Sequence, residues 1–367
     1  MIAKLVWENV RYRPIRTLLS ILLIAVPVTL ILTLIGMSHG FLDESKKRYA
    51  GVGADILFKA PSSSLMSFSG ATLPEKLIDV LASEPHVVQA NGVVIAQIPN
   101  TFDALTGIDI AKFNAMSGGF TFIGGHSFES PNDILVDTYY ASQKHIQVGS
   151  ALKVLNHDWH VAGIVEPGKL AHLFVQLPVL QDLISTSRTV SQIYLKLDNP
   201  APDNVTAVLA YLKNKYADYP MYSMAEIQTL MSVNSVPMVS TFINVVIGIG
   251  IVIGFAVVSL SMYMAVLQRT REIGILKSLG ATKGFVMRLI LSEAFILGFG
   301  GTVFGIILSF ISREVMQVVA PASFPQAIVL EWWPIAGGIA MGASLLGALY
   351  PGMLAVRQDP IEALAYE

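Results

Sequence analysis

The chain has 367 residues, of which 53% are hydrophobic and only 14% charged, with a formal net charge of −2 and a mean hydropathy of +0.59. Soluble domains carry about 25% charged residues, so a large part of this protein faces lipid. The absence of cysteine excludes a disulfide framework, a zinc–thiolate site and a thiol nucleophile.

In chain order, a short basic segment (1–17) with Lys4, Arg11, Arg13 and Arg16 precedes a first apolar span at about 18–37. Pro27 inside it predicts a kink rather than a break. A signal peptide also begins with a basic stretch, but this apolar run exceeds the roughly 7–15 residues of a signal core and no A-x-A-like site follows. Further spans are expected at about 241–267, 289–311 and 335–356, each near the roughly 20 residues that cross a bilayer as helix. Arg269, Arg271, Lys277, Lys283 and Arg288 lie between the second and third spans, Arg357 follows the fourth, and the loop at 312–334 holds only Arg313. Cations favour the inner side, so both termini, the segment 268–288 and the tail 357–367 are expected in the cytoplasm, with residues about 38–240 outside.

That outer region reads as an α+β domain. "ADILFKA" and "HVVQANGVVIAQI" predict strands around an amphipathic helix at Leu73–Glu84, with Leu73, Leu77, Val80 and Leu81 on one face. The order recurs as strand "SQIYLKLD", helix "NVTAVLAYLKNKYA" and strand "MYSM", which suggests one subdomain in two parts with an insertion at about 105–187. Within the insertion "ALKVL" and "WHVAGIV" predict a hairpin around "NHD". Residues Glu226–Val239 lead towards the second span as a helical stalk. The fold class expected is therefore an α-helical membrane protein with four transmembrane helices and a large α+β extracytoplasmic domain between the first two.

All seven histidines lie in the outer part, and His157 with His160 flank the hairpin turn, where a shared metal or haem is conceivable but polar residues also simply collect. No nucleophile elbow appears. Glu293, one turn inside the third span, is an intramembrane carboxylate placed to pair or snorkel near the interface. Gly301 and Gly305 have the spacing that lets helices approach closely.

The stretch "QRTREIGILKSLGATKGFV" (Gln268–Val286) invites a phosphate-loop reading. A P-loop needs G-x-x-x-x-G-K-[ST], yet counting from Gly274 puts Leu279 where the second glycine belongs. Nucleotide binding by this chain is therefore not expected. Ile273, Leu276 and Leu279 recur at helical spacing, Gly280 is a natural terminator, and Thr282 can cap a second helix running into the third span. The result is a helix, an elbow and a helix with an apolar edge for a partner. Fixing topology requires the cations alone, not Glu272, the apolar stripe, Gly274 and Gly280.

The stretch "REIGILKSLGATKGFVMRLILSEAFILGFGG", the ending "YPGMLAVRQDPIEAL", the outer pattern "ILVDTYYASQKHIQVGSALKVLNHDWHVAGIV" and the order of one span, large domain and three spans resemble the FtsX/MacB-type permeases of ABC transporters, LolC/E-like proteins among them. The resemblance implies that Arg271, Glu272, Gly274, Leu276, Lys277, Leu279, Gly280 and Ala281 form or support the contact with a separate ATPase subunit, and that Pro360, Glu362, Ala363 and Leu364 belong to the family's cytoplasmic tail. ATP and magnesium are then expected on that partner, with no cofactor or metal on this chain. The chain itself would not be an enzyme. Further implications are a homodimer in the bacterial inner membrane, an extracytoplasmic adaptor or partner, contact with lipid, and no nucleic acid. The function implied is export or extrusion of an amphiphilic cargo (a lipoprotein, lipid, peptide, antibiotic or haem). The alternative is FtsX-like transmission of force to a partner such as a cell-wall hydrolase, without transport. Nothing in the sequence assigns substrate-binding residues.

Overall fold

A computed structural model describes residues 14–61, 63, 72–99, 101, 103–230, 237–319 and 325–357. The basic start of the chain and the tail residues Pro360, Glu362, Ala363 and Leu364 lie outside them. The described chain divides into two units, 40–236 with 316–325 and the remainder.

Helix α1 (Pro14–Ala50) is followed by β1 (Ile56–Lys59), β2 (Leu73–Pro74), α2 (Lys76–Ala82), β3 (Val87–Gln97), β4 (Ala104–Ile108), α3 (Ile110–Ser117) and β5 (Phe122–Gly125). Next come β6 (Asp133–Asp137), α4 (Thr138–Lys144), β7 (Ala151–Val154), β8 (His157–Val165), β9 (Leu173–Gln176) and α5 (Leu177–Leu183). The domain ends with β10 (Thr189–Val190), β11 (Gln192–Leu197), α6 (Pro202–Lys215), β12 (Met221–Ser223) and α7 (Met224–Leu230).

Ten strands form one sheet in the order β12-β1-β11-β3-β4-β9-β6-β8-β5, with β7 paired to β8. The strands of the expected insertion, β4 to β9, form one end of this sheet. Strand β3 joins the two parts, pairing its first stretch (87–93) with β11 and its last (94–97) with β4.

Side chains alternate between the faces of a strand, and here both faces are covered. Ile56, Phe58, Ile134, Val136, Leu173, Val175, Ile193 and Leu195 join one cluster with Ile78 and Leu81 of α2, Leu180 of α5 and Val208 and Leu212 of α6. Their neighbours Leu57, Leu135, Phe174 and Tyr194 join a second cluster with Leu42 of α1, Phe113 and Met116 of α3 and Ile227 of α7. Strands buried on both faces carry near-continuous apolar runs, which is why "ADILFKA" and "ILVD" show little polar alternation.

Local chemistry fixes the helix ends. Asp109 caps α3 by accepting hydrogen bonds from the Ala111 and Lys112 amides, and Gly118 follows that helix with φ +76°. Asp137 caps α4 by accepting from the Tyr140 amide. Two expectations need correction. Leu73 lies in β2, paired with Val190, because the helix begins only at Lys76, and Val80 faces out while Ile78 and Leu81 are buried. The β7–β8 turn is Leu155–Asn156, with φ of 53° and 60°, the geometry of a two-residue hairpin loop. His157 bonds to Asn132 (3.0 Å) and His160 to Asp133 (3.3 Å), and no cluster of metal-ligating side chains exists among the described residues.

The other unit contains the apolar helices. After α7 come α8 (Pro237–Gln268), α9 (Thr270–Ser278), α10 (Lys283–Val319) and α11 (Trp332–Arg357). Together with α1, helices α8, α10 and α11 are long and apolar enough to cross a membrane. Each outruns its expected span, so Arg313 sits within α10 instead of a loop, where its Nε donates to the Gln326 carbonyl (3.3 Å). Of the expected stalk, 231–236 fall outside the described residues.

Candidate functional site

The chain breaks at Arg269 (φ −118°, ψ 18°), so α9 starts a new direction directly after α8. At its far end the Gly280 amide donates to the Lys277 carbonyl (3.1 Å) and the Ala281 amide to the Leu276 carbonyl (2.9 Å), the two nested bonds of a glycine-terminated helix. Gly280 has φ +95°, a region in which a Cβ is disfavoured. Thr282 then opens α10, with its hydroxyl and carbonyl both accepting from the Phe285 amide (3.3 and 2.9 Å). The helix, elbow and capped helix expected from the sequence are all present.

The elbow divides the eight predicted residues into two groups. Arg271, Glu272, Leu279 and Gly280 are exposed, Leu279 to 81%. Gly274 is buried, while Leu276, Lys277 and Ala281 are partly buried. The apolar stripe is therefore not one exposed edge. Ile273 packs with Met262, Val266, Val286 and Ile290, and the side chains left outward are Ile275 and Leu279. The physical reason is that α9 lies back against α8 and α10, so one face of its stripe is consumed in anchoring it. Lys277 extends to the Val356 carbonyl (2.9 Å), adding a cation at the C-terminal end of α11 where the helix dipole favours it.

Beneath α9 is a cavity of about 90 Å³ lined in part by Arg269, Glu272, Ile273, Leu276 and Glu293. The Arg269 Nη1 donates to Glu293 Oε2 at 3.2 Å, with 14% and 10% of the two side chains exposed. From the sequence, Glu293 is expected to pair or snorkel near the interface, with no partner named. The partner is Arg269, at the α8–α9 break, and a buried carboxylate without a local cation was the signal that could have found it. The Gly301 and Gly305 positions face α1. A Cβ on Gly301 would stand 2.5 Å from Ile24 Cγ2, and one on Gly305 would stand 2.7 Å from Val28 Cβ.

Chemically, the elbow offers a rigid exposed knob with an adjacent cation and anion. It presents no ring of backbone amides for a phosphate.

Two family models match the chain: the MacB-like periplasmic core domain over residues 17–214 and the FtsX-like permease C-terminal region over 244–360. An uncharacterized ABC transporter permease, YknZ of Bacillus subtilis, is 35% identical over 131 residues, 35% of this chain and 32% of that one. The macrolide export ATP-binding/permease protein MacB of Sodalis glossinidius is 20% identical over 96% of this chain and 58% of its own length. The chain thus spans less than two thirds of the curated relatives it matches. The periplasmic region of MacB from Actinobacillus actinomycetemcomitans aligns over 50% of this chain and 94% of that structure, at 14% identity and a TM-score of 0.37. With one family model spanning more than half of it and the second covering α8 to α11, the chain belongs to the ABC transporter permease family of FtsX-like permeases with a MacB-like periplasmic core domain, multi-pass membrane proteins whose domain between the first two spans is extracytoplasmic.

Proposed function

We propose that the chain is the transmembrane subunit of an exporter, with the α9–Gly280–α10 elbow on the cytoplasmic side as the handle gripped by an ABC ATPase on a separate polypeptide. The observation that carries this reading is the apolar pair Leu279, 81% exposed, and Ile275, 43% exposed, held out on the elbow while Ile273 anchors it to α8 and α10. An apolar side chain held out on a rigid turn is stabilising only when a partner covers it. Arg271 and Glu272 flank it with charges of both signs, which would give the contact its register. ATP and magnesium belong to the partner. Both termini are then cytoplasmic and the membrane is the bacterial inner membrane.

Force from the ATPase would enter at α9 and pass to α8 and α10 through Ile273 and the Arg269–Glu293 pair. The cargo class consistent with an extracytoplasmic domain carried on membrane-crossing helices is amphiphilic: a lipoprotein, lipid, peptide, antibiotic or haem. A homodimer fits α8, whose apolar window is only 17% buried against 39–44% in the other three.

The test is co-expression of the chain with an ABC ATPase from the same genome, followed by co-purification. Leu279→Glu should abolish co-purification and ATPase stimulation while membrane insertion and yield stay unchanged. Full association in that variant would overturn the docking assignment.

A further inference from the structure

The extracytoplasmic domain holds a cavity of its own, about 120 Å³ in volume and lined mainly by apolar surface, between the last turns of α1 and the sheet. Arg48 and Tyr49 line it from α1, and Gln97, Asp103, Thr106 and His172 line it from β3, β4 and the approach to β9. Asp103 is 5% exposed and Thr106 1%.

Side chains this deep are normally paired, yet the Thr106 hydroxyl has no hydrogen-bond partner. Among the described residues, Asp103 is bonded only through its backbone, to Ile98 and Thr101. Its carboxylate feels the charges of His172, Lys144 and Arg48, but among the described residues no ion pair forms, and burial holds its pKa above the ordinary value. His172 is already committed through Nδ1 to Asp137 (2.5 Å). The cavity therefore contains a buried hydroxyl without a partner and, facing the same space, a carboxylate and a partly exposed guanidinium that make no ion pair with each other.

Space of this size holds about four water molecules or one solute of a few heavy atoms. Water would satisfy the hydroxyl, but the Asp103 carboxylate would still feel the charge of Arg48 only at a distance, without the direct pairing that a buried charge normally has. A cation alone would neutralise Asp103 but be repelled by the neighbouring Arg48. One solute with both charges answers both ends. We propose that this cavity is a binding site for a small zwitterion, an α-amino acid with a short side chain, whose ammonium group sits on Asp103 and Thr106 and whose carboxylate sits on Arg48. No step of the ATPase-docking reading enters this inference.

The experiment is isothermal titration of the purified full chain in detergent with glycine, L-alanine, L-tryptophan, methylammonium and acetate. Glycine and L-alanine should bind saturably, and L-tryptophan should be excluded by size. Methylammonium and acetate, each carrying half of the recognised chemistry, should bind at least 10-fold more weakly. Asp103→Asn, Thr106→Val and Arg48→Gln should each weaken glycine by about 10- to 100-fold, the range for losing a hydrogen bond to a charged group. Thr106→Val is close to isosteric, and the thermal midpoint of each variant without ligand reports whether it is folded. Absence of saturable glycine and L-alanine binding would overturn the proposal. So would methylammonium binding as tightly as glycine, which would make the site one for a cation alone, or unchanged glycine affinity in folded Asp103→Asn and Arg48→Gln.

Discussion

Arg269 and Glu293, 24 positions apart, meet at 3.2 Å where α8 gives way to α9, and both side chains are almost fully enclosed. The pair ties the break in the chain to the first turns of α10. Removing one partner of a buried ion pair leaves the other uncompensated, at a cost of about 3–5 kcal/mol. Glu293→Ala should therefore lower the thermal midpoint in detergent markedly. Glu293→Gln, which keeps an acceptor for the guanidinium, should fall between Ala and wild type. The double exchange Arg269→Glu with Glu293→Arg should recover part of the loss, and additive losses in that double variant would show that the two do not act as a pair.

Much of this architecture was readable from the residues, for reasons that can be named. The four spans and the elbow follow from local rules: an apolar run, a glycine after Leu279 and a threonine before Lys283. The strands were also visible, because β-branched runs such as "ILVD" have no other home. Pairing was not visible. That β3 serves β11 with its first half and β4 with its second depends on long-range register, which no single stretch encodes. The same limit hid the Arg269 partner of Glu293. The stripe on α9 misled because periodicity shows that a face is apolar and not what covers it, and here Ile273 is spent on the bundle. At Leu73–Glu84, helix propensity was overridden by the two-residue pairing of β2 with β10.

Gly301 and Gly305 allow α10 to lie against α1. A side chain at Gly301 would meet Ile24 at 2.5 Å, and one at Gly305 would meet Val28 at 2.7 Å and the Ala25 carbonyl at 3.0 Å. Gly301→Leu should destabilise by about 1–3 kcal/mol, the cost of overpacking, and Gly305→Leu similarly. Gly342→Ala is the contrast: nothing stands within 4 Å of its added carbon, and in a helix interior alanine gains about 0.5–1 kcal/mol over glycine. Thermal unfolding in detergent reads all three. Equal tolerance at Gly301 and Gly342 would contradict the close approach.

Glu84 is the most heavily bonded carboxylate of the domain. It accepts from Lys215 Nζ (2.6 and 2.9 Å), the Tyr216 hydroxyl (2.6 Å) and the Tyr211 hydroxyl (3.2 Å), which fixes the end of α2 to α6. Burial alone would raise its pKa, but the bonds from Lys215, Tyr216 and Tyr211, with the charge of Lys215, hold it below its ordinary 4.5. A carboxyl depressed in the folded state contributes stability that is fully present above the unfolded pKa and is lost as pH falls through the folded one. Glu84→Gln should therefore unfold at a lower temperature than wild type near pH 7. The gap should narrow only as the pH drops below about 4.5. A gap independent of pH down to 3 would show that the charge of Glu84 contributes nothing.

Gly280 separates the shape of the elbow from its contact chemistry. Its φ of +95° is costly for any residue with a Cβ, yet no atom lies within 4 Å of where that carbon would be. The penalty of Gly280→Ala is therefore purely conformational, about 1 kcal/mol, and it falls on the turn that presents Leu279 rather than on packing. Gly280→Val should be worse, and Gly280→Asn milder, because asparagine tolerates the left-handed region. Gly284→Ala, four residues on inside α10 and also without a neighbour within 4 Å, should be neutral. Association with the ATPase should follow the order Gly284→Ala, Gly280→Asn, Gly280→Ala, Gly280→Val, from strongest to weakest, while thermal stability of the rest of the chain barely changes. If association instead followed side-chain size at both glycines alike, the elbow would act by steric fit and its left-handed turn would be incidental.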